Sequence, residues 1–246
     1  MLSLTDYIKY KLAPPKLYLT YSATRKYKRA RKKGELELHL LPFLADPKKA
    51  AIDIGANKGL YTHYLAKLCK SVIAFEPQQE LAEFLKRATP PNVTVINKGL
   101  SNRSSIEEFH IPLINGRKSR NISTLEPELV AEYETIIRKV EILPLDAFDY
   151  KDIGFIKIDV EGHELSVLQG AQKTIERSKP VIQVEILADQ ASLKDHQVIR
   201  FLTEAGYDMM SLQNNLLRLH KPSETISSSR NFIFLPDTLN DRFDHL

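Results

Sequence analysis

Apolar and polar residues alternate along the chain with two different periods, one typical of buried strands and one typical of helices. Short apolar runs at residues 50–54, 72–75 and 93–96 are separated by segments at 60–68 and 80–87, where apolar residues recur every three or four positions. Strands that alternate with helices in this way favour a parallel sheet with helices on both faces. This part of the chain therefore predicts an α/β fold.

The same alternation returns in the C-terminal half. The pattern predicts strands at 155–159 and 181–185, helices at 165–176 and 195–205, and closing strands at 216–220 and 231–235. Together with the first three strands, these predict a doubly wound, mostly parallel, seven-stranded sheet of the Rossmann-like type. Such sheets bind ligands at the carboxyl ends of their strands.

A less regular stretch separates the two halves. Residues 106–111 and 139–143 alternate like exposed strands. The polar, glycine-containing segment 115–124 between them is typical of a mobile lid or a substrate loop.

The N-terminal residues differ in charge from the rest of the chain. Residues 1–34 carry a net charge of +9, whereas the remainder carries −5. Helical spacing at 35–44 ends before Asp46-Pro47, so we predict an N-terminal basic helical extension and lead-in helix at 1–46, followed by one catalytic domain at 47–246. The basic cluster at 25–33 could meet RNA, anionic lipid headgroups or an anionic glycan, or it could be a solvated helix face.

Cysteine content and hydropathy point to a compartment. The single cysteine, Cys69, excludes an internal disulfide and a two-cysteine zinc clip. No apolar run approaches the roughly 18 residues of a membrane span, and residues 1–15 lack the apolar core of a signal peptide. These observations predict a cytoplasmic protein without a membrane span.

The loop after the first strand reads Asp53-Ile-Gly-Ala-Asn-Lys-Gly59. Dinucleotide-binding loops have glycines spaced G-x-G-x-x-G, which let the backbone approach a pyrophosphate. Asn57 stands where the second of these glycines would be, so a nicotinamide dinucleotide is disfavoured.

S-adenosylmethionine, which has no phosphate, suits this loop better. Asp53 can accept a hydrogen bond from its ammonium group, Gly55 keeps a side chain out of its path, and Asn57 can face its carboxylate with the amides of the next helix. Glu76 ends the second strand, where it can accept both ribose hydroxyls. The alternative is that Gly55 and Gly59 merely permit a tight turn and close helix packing.

Three motifs occur in order along the chain: Asp53 to Gly59, Ala74-Phe-Glu-Pro77, and Ile156-Lys-Ile-Asp-Val-Glu-Gly-His-Glu164. With these motifs, the chain resembles the FkbM family of methyltransferases from about residue 40 to residue 186, and the third motif is the most specific. The resemblance implies a class I methyltransferase fold, S-adenosylmethionine as methyl donor, and O-methylation of a hydroxyl on a sugar, a glycan or a secondary metabolite. It implies these donor-binding residues: Asp53, Gly55, Asn57, Gly59 and Glu76. Ser101 and Asn102 stand where such folds often reach the adenine.

The third motif places acidic residues at the end of the fourth strand, beside the position expected for the methyl group. Methylation of oxygen requires that the hydroxyl proton is removed before or during attack. Asp159, Glu161 and His163 are the candidate bases, although His163 could instead cap or pack at the helix start. We expect no metal, but Asp159, Glu161 and Glu185 could alternatively hold a divalent cation that acidifies the hydroxyl.

Two rival functions stay open from the sequence. Methylation of nucleic-acid bases is disfavoured, because Asp159-Val-Glu-Gly162 replaces the Asn/Asp-Pro-Pro-aromatic motif and Cys69 lacks a Pro-Cys context. Ribose methylation that uses the basic extension stays open. The second rival is a non-catalytic domain that binds the donor or a partner. The sequence identifies neither the acceptor nor the oligomeric state.

Overall fold

The computed structural model describes residues 14–30, 35–119, 122–186, 196–213, 216–220 and 231–237. Several parts of the predictions lie outside the described residues, among them positions 1–13 of the N-terminal extension, positions 31–33 of the basic cluster, positions 120 and 121 of the glycine-containing segment, and the start of the helix predicted from 195.

A mixed sheet forms the centre of the fold. Its strands are β1 (Ala50–Ile54), β2 (Ser71–Phe75), β3 (Val93–Ile96), β8 (Ile153–Ile158), β9 (Val181–Glu185), β10 (Tyr207–Gln213), β11 (Leu216–His220) and β12 (Asn231–Pro236). They lie in the order β11-β10-β12-β9-β8-β1-β2-β3, and the five strands from β9 to β3 run parallel. The predicted α/β class is confirmed, with its switch point between β1 and β8.

Among the residues that the structure describes, the sheet has eight strands where seven were predicted. The additional strand, β10, pairs antiparallel with β11 and places Gln213 opposite Leu216. The apolar pattern does not predict β10, because one of its inward positions is polar: Ser211 is fully buried, with its hydroxyl oxygen 2.7 Å from Nε2 of His220.

Helices cover both faces of the sheet. They are α1 (Pro15–Ala30), α2 (Leu41–Leu44), α3 (Leu60–Leu68), α4 (Gln79–Ala88), α5 (Glu164–Gln169), α6 (Gln172–Ser178) and α7 (Gln197–Glu204), with 3₁₀ turns at Leu36–Leu40, Pro127–Val130 and Leu145–Phe148.

Two predicted helices differ in the structure. The helix predicted at 35–44 is a 3₁₀ turn followed by the short α2, and the helix predicted at 165–176 is divided into α5 and α6. The division falls at Gly170, where a Cβ atom would lie 1.9 Å from the carbonyl oxygen of Ser101. Tertiary contact therefore interrupts this helix.

A second, smaller sheet follows β3. Its strands are β4 (Gly99–Leu100), β5 (Ser105–Ile114), β6 (Arg117–Lys118) and β7 (Thr135–Leu143), in the order β4-β7-β5-β6. The strands predicted at 106–111 and 139–143 are confirmed as parts of β5 and β7. The segment predicted as a loop includes β6, and its Thr124 pairs with His110 of β5.

One face of the main sheet changes character along its strands. On the face covered by α3, the apolar residues Ala51, Phe155 and Val181 lie side by side in register. Two positions further along, this face carries three buried polar residues, here called the polar row: Asp53, Lys157 and Gln183. The polar row lies at the carboxyl ends of the strands, where a ligand is expected.

Candidate active site

A cavity of about 380 Å³ opens above the carboxyl ends of β1, β2, β8 and β9. Seven of the predicted site residues line it: Asp53, Gly55, Asn57, Glu76, Asp159, Glu161 and His163. Gly59, Ser101 and Asn102 do not line it. The fold therefore gathers most residues of the three motifs around one space.

Asp53 lies on the floor of this cavity, near the end of β1. Only 2 % of it is exposed, and its carboxylate accepts a hydrogen bond from the Thr62 hydroxyl of α3. Burial raises the pKa of Asp53 to about 6, and the neighbouring Asp159 also raises it, whereas the Thr62 hydrogen bond and the charge of Lys157 lower it. Because burial disfavours the negative charge of this carboxylate, a cationic group of a ligand beside it would stabilise the ionised form.

The loop that follows Asp53 has an unusual backbone. Gly55, Asn57 and Gly59 have φ angles of 79°, 49° and 77°, in the left-handed region that glycine and asparagine adopt most easily. A Cβ atom on Gly55 would lie 1.9 Å from the carbonyl oxygen of Asp159. A Cβ atom on Gly59 would lie 2.5 Å from the Leu85 side chain, so Gly59 has a packing role outside the cavity.

Glu76 joins this loop to the end of β2. It is 2 % exposed, and its carboxylate accepts hydrogen bonds from the backbone N–H groups of Asn57 at 2.7 Å and Gln78 at 2.8 Å. The Asn97 side chain donates to the carbonyl oxygen of Glu76 at 2.8 Å and steadies the strand end. A carboxylate offers about four acceptor sites, so Glu76 suits the predicted contact with a ribose diol.

Ser101 and Asn102 do not line the cavity. Ser101 is buried, and Asn102 is exposed and donates to the Gln169 side chain at 2.8 Å. The neighbouring residues Gly99 and Leu100 line the cavity instead. Contact of Ser101 and Asn102 with an adenine stays a prediction.

The end of β8 places two acidic residues on the cavity wall. The backbone N–H of Asp159 donates to the carbonyl oxygen of Ile54 at 3.1 Å, and the Asp159 side chain is 31 % exposed. Glu161 has a φ of 52°, which is uncommon for a residue with a side chain, and Gly162 follows with 100°. The sharp turn brings Asp159 and Glu161 to the same cavity.

His163 is held through both ring nitrogens. Nδ1 lies 2.6 Å from Oε1 of Glu126, and Nε2 lies 2.9 Å from the Ser101 hydroxyl oxygen. The Glu126 carboxylate can only accept, so Nδ1 donates to it, and the Ser101 hydroxyl is the hydrogen-bond partner of Nε2. These contacts fix the ring at the cavity edge, and a role as base stays a prediction.

Residues 122–130, here called the connector, form another wall. Ile122, Ser123 and Leu125 line the cavity. The Thr124 hydroxyl donates to the carbonyl oxygen of Glu161 at 2.6 Å. No local sequence pattern predicts this contact, because Thr124 lies 37 residues before Glu161.

Lys157 also lines the cavity and was not predicted as a site residue. It is 1 % exposed within β8, where the surrounding residues are apolar. A charged residue inside an otherwise apolar strand is the signal that could have identified it, because buried lysines are rarely left uncompensated. Within the described part of the chain, no group of three or more His, Cys, Asp or Glu is placed to hold a metal ion.

Comparison with known proteins assigns a family. The chain matches the model of the methyltransferase FkbM domain over residues 53–209. This protein belongs to the FkbM methyltransferase family. The resemblance inferred from the three motifs is confirmed, and S-adenosylmethionine is the cofactor.

Individual relatives differ in how much of the chain they share. Hexuronic acid methyltransferase AglP of Haloferax volcanii is 29 % identical over 186 residues, which are 72 % of this chain and 69 % of that protein. Ribosomal RNA small subunit methyltransferase A of Bacillus cytotoxicus is 37 % identical over 81 residues, which are 32 % of this chain and 28 % of that enzyme. This chain therefore matches little more than a quarter of the Bacillus enzyme.

A solved structure shares the fold. The FkbM methyltransferase of Methylobacillus flagellatus KT superposes with a TM-score of 0.50 at 16 % identity, and the match covers 93 % of this chain and 52 % of that one. Such low identity shows the class I fold alone. No helix among the described residues is long and apolar enough to cross a membrane.

The cavity residues of this chain fit S-adenosylmethionine. The buried carboxylate of Asp53 suits the ammonium group, and Glu76 at the next strand end suits the ribose diol. Gly55 and Asn57 form the part of the loop that would face the amino-acid end.

Proposed function

We propose that this protein transfers the methyl group of S-adenosylmethionine to a hydroxyl group of a sugar or glycan. The position of Asp159 carries the proposal. Its N–H group donates to the carbonyl oxygen of Ile54, directly before residues 55–59, here called the donor loop, and Asp159 lines the same cavity as that loop. A candidate base and a candidate donor site therefore share one wall.

The chemistry needs an acceptor for one proton. When bound, S-adenosylmethionine supplies an electrophilic methyl carbon, and a hydroxyl oxygen becomes an effective nucleophile as its proton leaves. We assign Asp159 as the group that takes this proton, with Glu161 and His163 as other groups on the same wall. The backbone contact to Ile54 keeps Asp159 at a fixed height above the sheet.

The rest of the cavity wall supports a polyhydroxylated acceptor. Lys26, Glu35, Lys58 and Glu185 line it, and such side chains donate to or accept from sugar hydroxyls. The relative from Haloferax volcanii is named for a hexuronic acid, which supports a sugar as acceptor. The proposal includes a reducing, cytoplasmic compartment, supported by Cys69 as the single cysteine of the chain.

The test combines a binding assay with a transfer assay on the full chain. Calorimetry with S-adenosylhomocysteine measures donor affinity, and labelled S-adenosylmethionine measures transfer to neutral oligosaccharides, uronic-acid oligosaccharides and RNA. We expect transfer to a sugar hydroxyl. We expect Asp159→Asn to lower turnover by about 100-fold or more and to leave donor affinity nearly unchanged. Asp152→Asn, at the exposed opposite end of β8, is the matched control.

Each other outcome contradicts a stated part of the proposal. Equal losses of affinity and turnover in Asp159→Asn would make Asp159 a binding residue. Donor binding without transfer to any acceptor would favour a non-catalytic domain, and transfer to RNA alone would favour nucleic-acid methylation.

A further inference from the structure

Lys157 is a buried cation at the centre of the main sheet. It lies in β8, between β1 and β9, and only 1 % of it is exposed. The removal of an ammonium group from water costs several kcal/mol unless opposite charge or hydrogen bonds compensate. The role of this charge therefore depends on which neighbouring groups compensate it.

Neutral groups provide only long contacts. The Nζ atom donates to the carbonyl oxygen of Ile158 and to Oδ1 of Asn231, each at 3.3 Å, beyond the usual range for such bonds. Nζ also lies 5.1 Å from the centre of the Tyr61 ring. These contacts alone compensate the charge poorly.

Carboxylates approach Lys157 from three elements. Asp53 is its register partner on β1, and Oδ2 of Asp159, the residue that follows β8, lies 3.7 Å from Nζ. Glu37, from the 3₁₀ turn, is buried, and its pKa is raised by burial and lowered by Lys157. Lys157 also has three uncharged neighbours: Tyr61 of α3, Gln183 of β9 and Asn231 of β12.

We propose that Lys157 is a positioning residue whose ammonium group balances the charges of Asp53 and Asp159 and fixes these two carboxylates on either side of the methyl-transfer site. The inference rests on the proposed function, because it takes Asp53 as the donor-side group and Asp159 as the acceptor-side group. Lys157 itself lines the cavity between them and needs no contact with the reacting atoms.

The test follows the affinity for S-adenosylhomocysteine between pH 5 and pH 8. Asp53 has a pKa of about 6 and must be ionised to accept from the donor's ammonium group, so wild-type affinity falls as the pH drops through about 6. In Lys157→Met the opposing cation is lost, so the midpoint of this decline should move upward by about one pH unit. Lys157→Arg keeps the charge and should restore the midpoint.

Gln183→Met is the matched control. It replaces a buried polar residue of the polar row on the adjacent strand, with a similar change in side-chain shape and no change in charge. We expect it to lower the melting temperature and to leave the midpoint unmoved. If Lys157→Met does not fold, Lys157→Gln, which can still donate to Asn231, takes its place in the same titration.

The outcomes separate the two proposals. A wild-type affinity that does not decline anywhere between pH 8 and pH 5 would contradict Asp53 as the donor-side group, which is the donor-site part of the proposed function. If the wild-type affinity declines as expected but Lys157→Met does not move the midpoint of the decline, the role of Lys157 is overturned and the proposed function is not. The same holds if Gln183→Met moves the midpoint equally.

Discussion

The carboxylate of Glu76 combines observed hydrogen bonds to the backbone with a predicted contact to the donor. The sequence suggests only that it faces a ribose, but in the structure it also accepts the N–H of Asn57 and so ties the donor loop to β2. The buried position of the side chain leaves little room for water to replace these bonds. We therefore expect the order of this loop and the binding of the donor to depend on the same residue.

We expect Glu76→Ala to weaken S-adenosylmethionine binding by about 1 to 3 kcal/mol, the range for loss of hydrogen bonds to a charged group. Calorimetry measures the change. Glu83→Ala, on the exposed side of α4, is the control and should bind as the wild type does. Unchanged affinity in Glu76→Ala would refute the assignment.

At the scale of elements, the site is made where separate segments touch. The loop after β1 passes against the end of β8, and the connector crosses the turn between β8 and α5, where Leu129 would lie 2.4 Å from a Cβ atom on Gly162. Such approaches favour glycine, because an added side chain would meet the backbone of Asp159 at Gly55 and the side chain of Leu129 at Gly162. Glycine at positions 55 and 162 is therefore explained by close packing between segments, and not only by contact with a ligand.

Gly55→Ala tests this crossing through the free energy of unfolding. The new Cβ atom would meet the Asp159 carbonyl oxygen at 1.9 Å, and backbone cannot rotate away as a side chain can. Gly116→Ala is the control, because Gly116 also has a positive φ but has nothing within 4 Å of its Cβ position. We expect the free energy of unfolding to fall by about 1 kcal/mol in the control, because alanine is strained at a positive φ, and to fall clearly more in Gly55→Ala. Equal losses would contradict the close approach.

At the scale of the molecule, α1 packs against the body of the fold. Tyr18 and Leu19 are buried against α4, where the Tyr18 and Phe84 rings meet edge to face at 5.9 Å. Lys26 of the same helix lines the cavity. The division of the chain at residue 46 stays a prediction, and the described part of the basic cluster belongs to a packed helix.

Substitutions in α1 test this packing through chemical denaturation. Leu19→Ala removes a side chain that is 1 % exposed, so we expect a loss of about 2 to 5 kcal/mol in the free energy of unfolding. Leu17→Ala, two residues earlier and 61 % exposed, should change it by no more than about 0.5 kcal/mol. Similar values for the two variants would show that α1 does not stabilise the fold.

The sequence by itself determined the α/β class, the parallel strands and the donor loop, because apolar periodicity and the order of the motifs are local properties. Only the tertiary structure decided which distant residues share the cavity. Lys157 gains its surroundings from β1 and the 3₁₀ turn, and His163 meets Glu126 across 37 residues of chain. Gly170 divides a helix because the backbone of Ser101 passes beside it. Such contacts join segments that are far apart in the chain, so no local pattern records them.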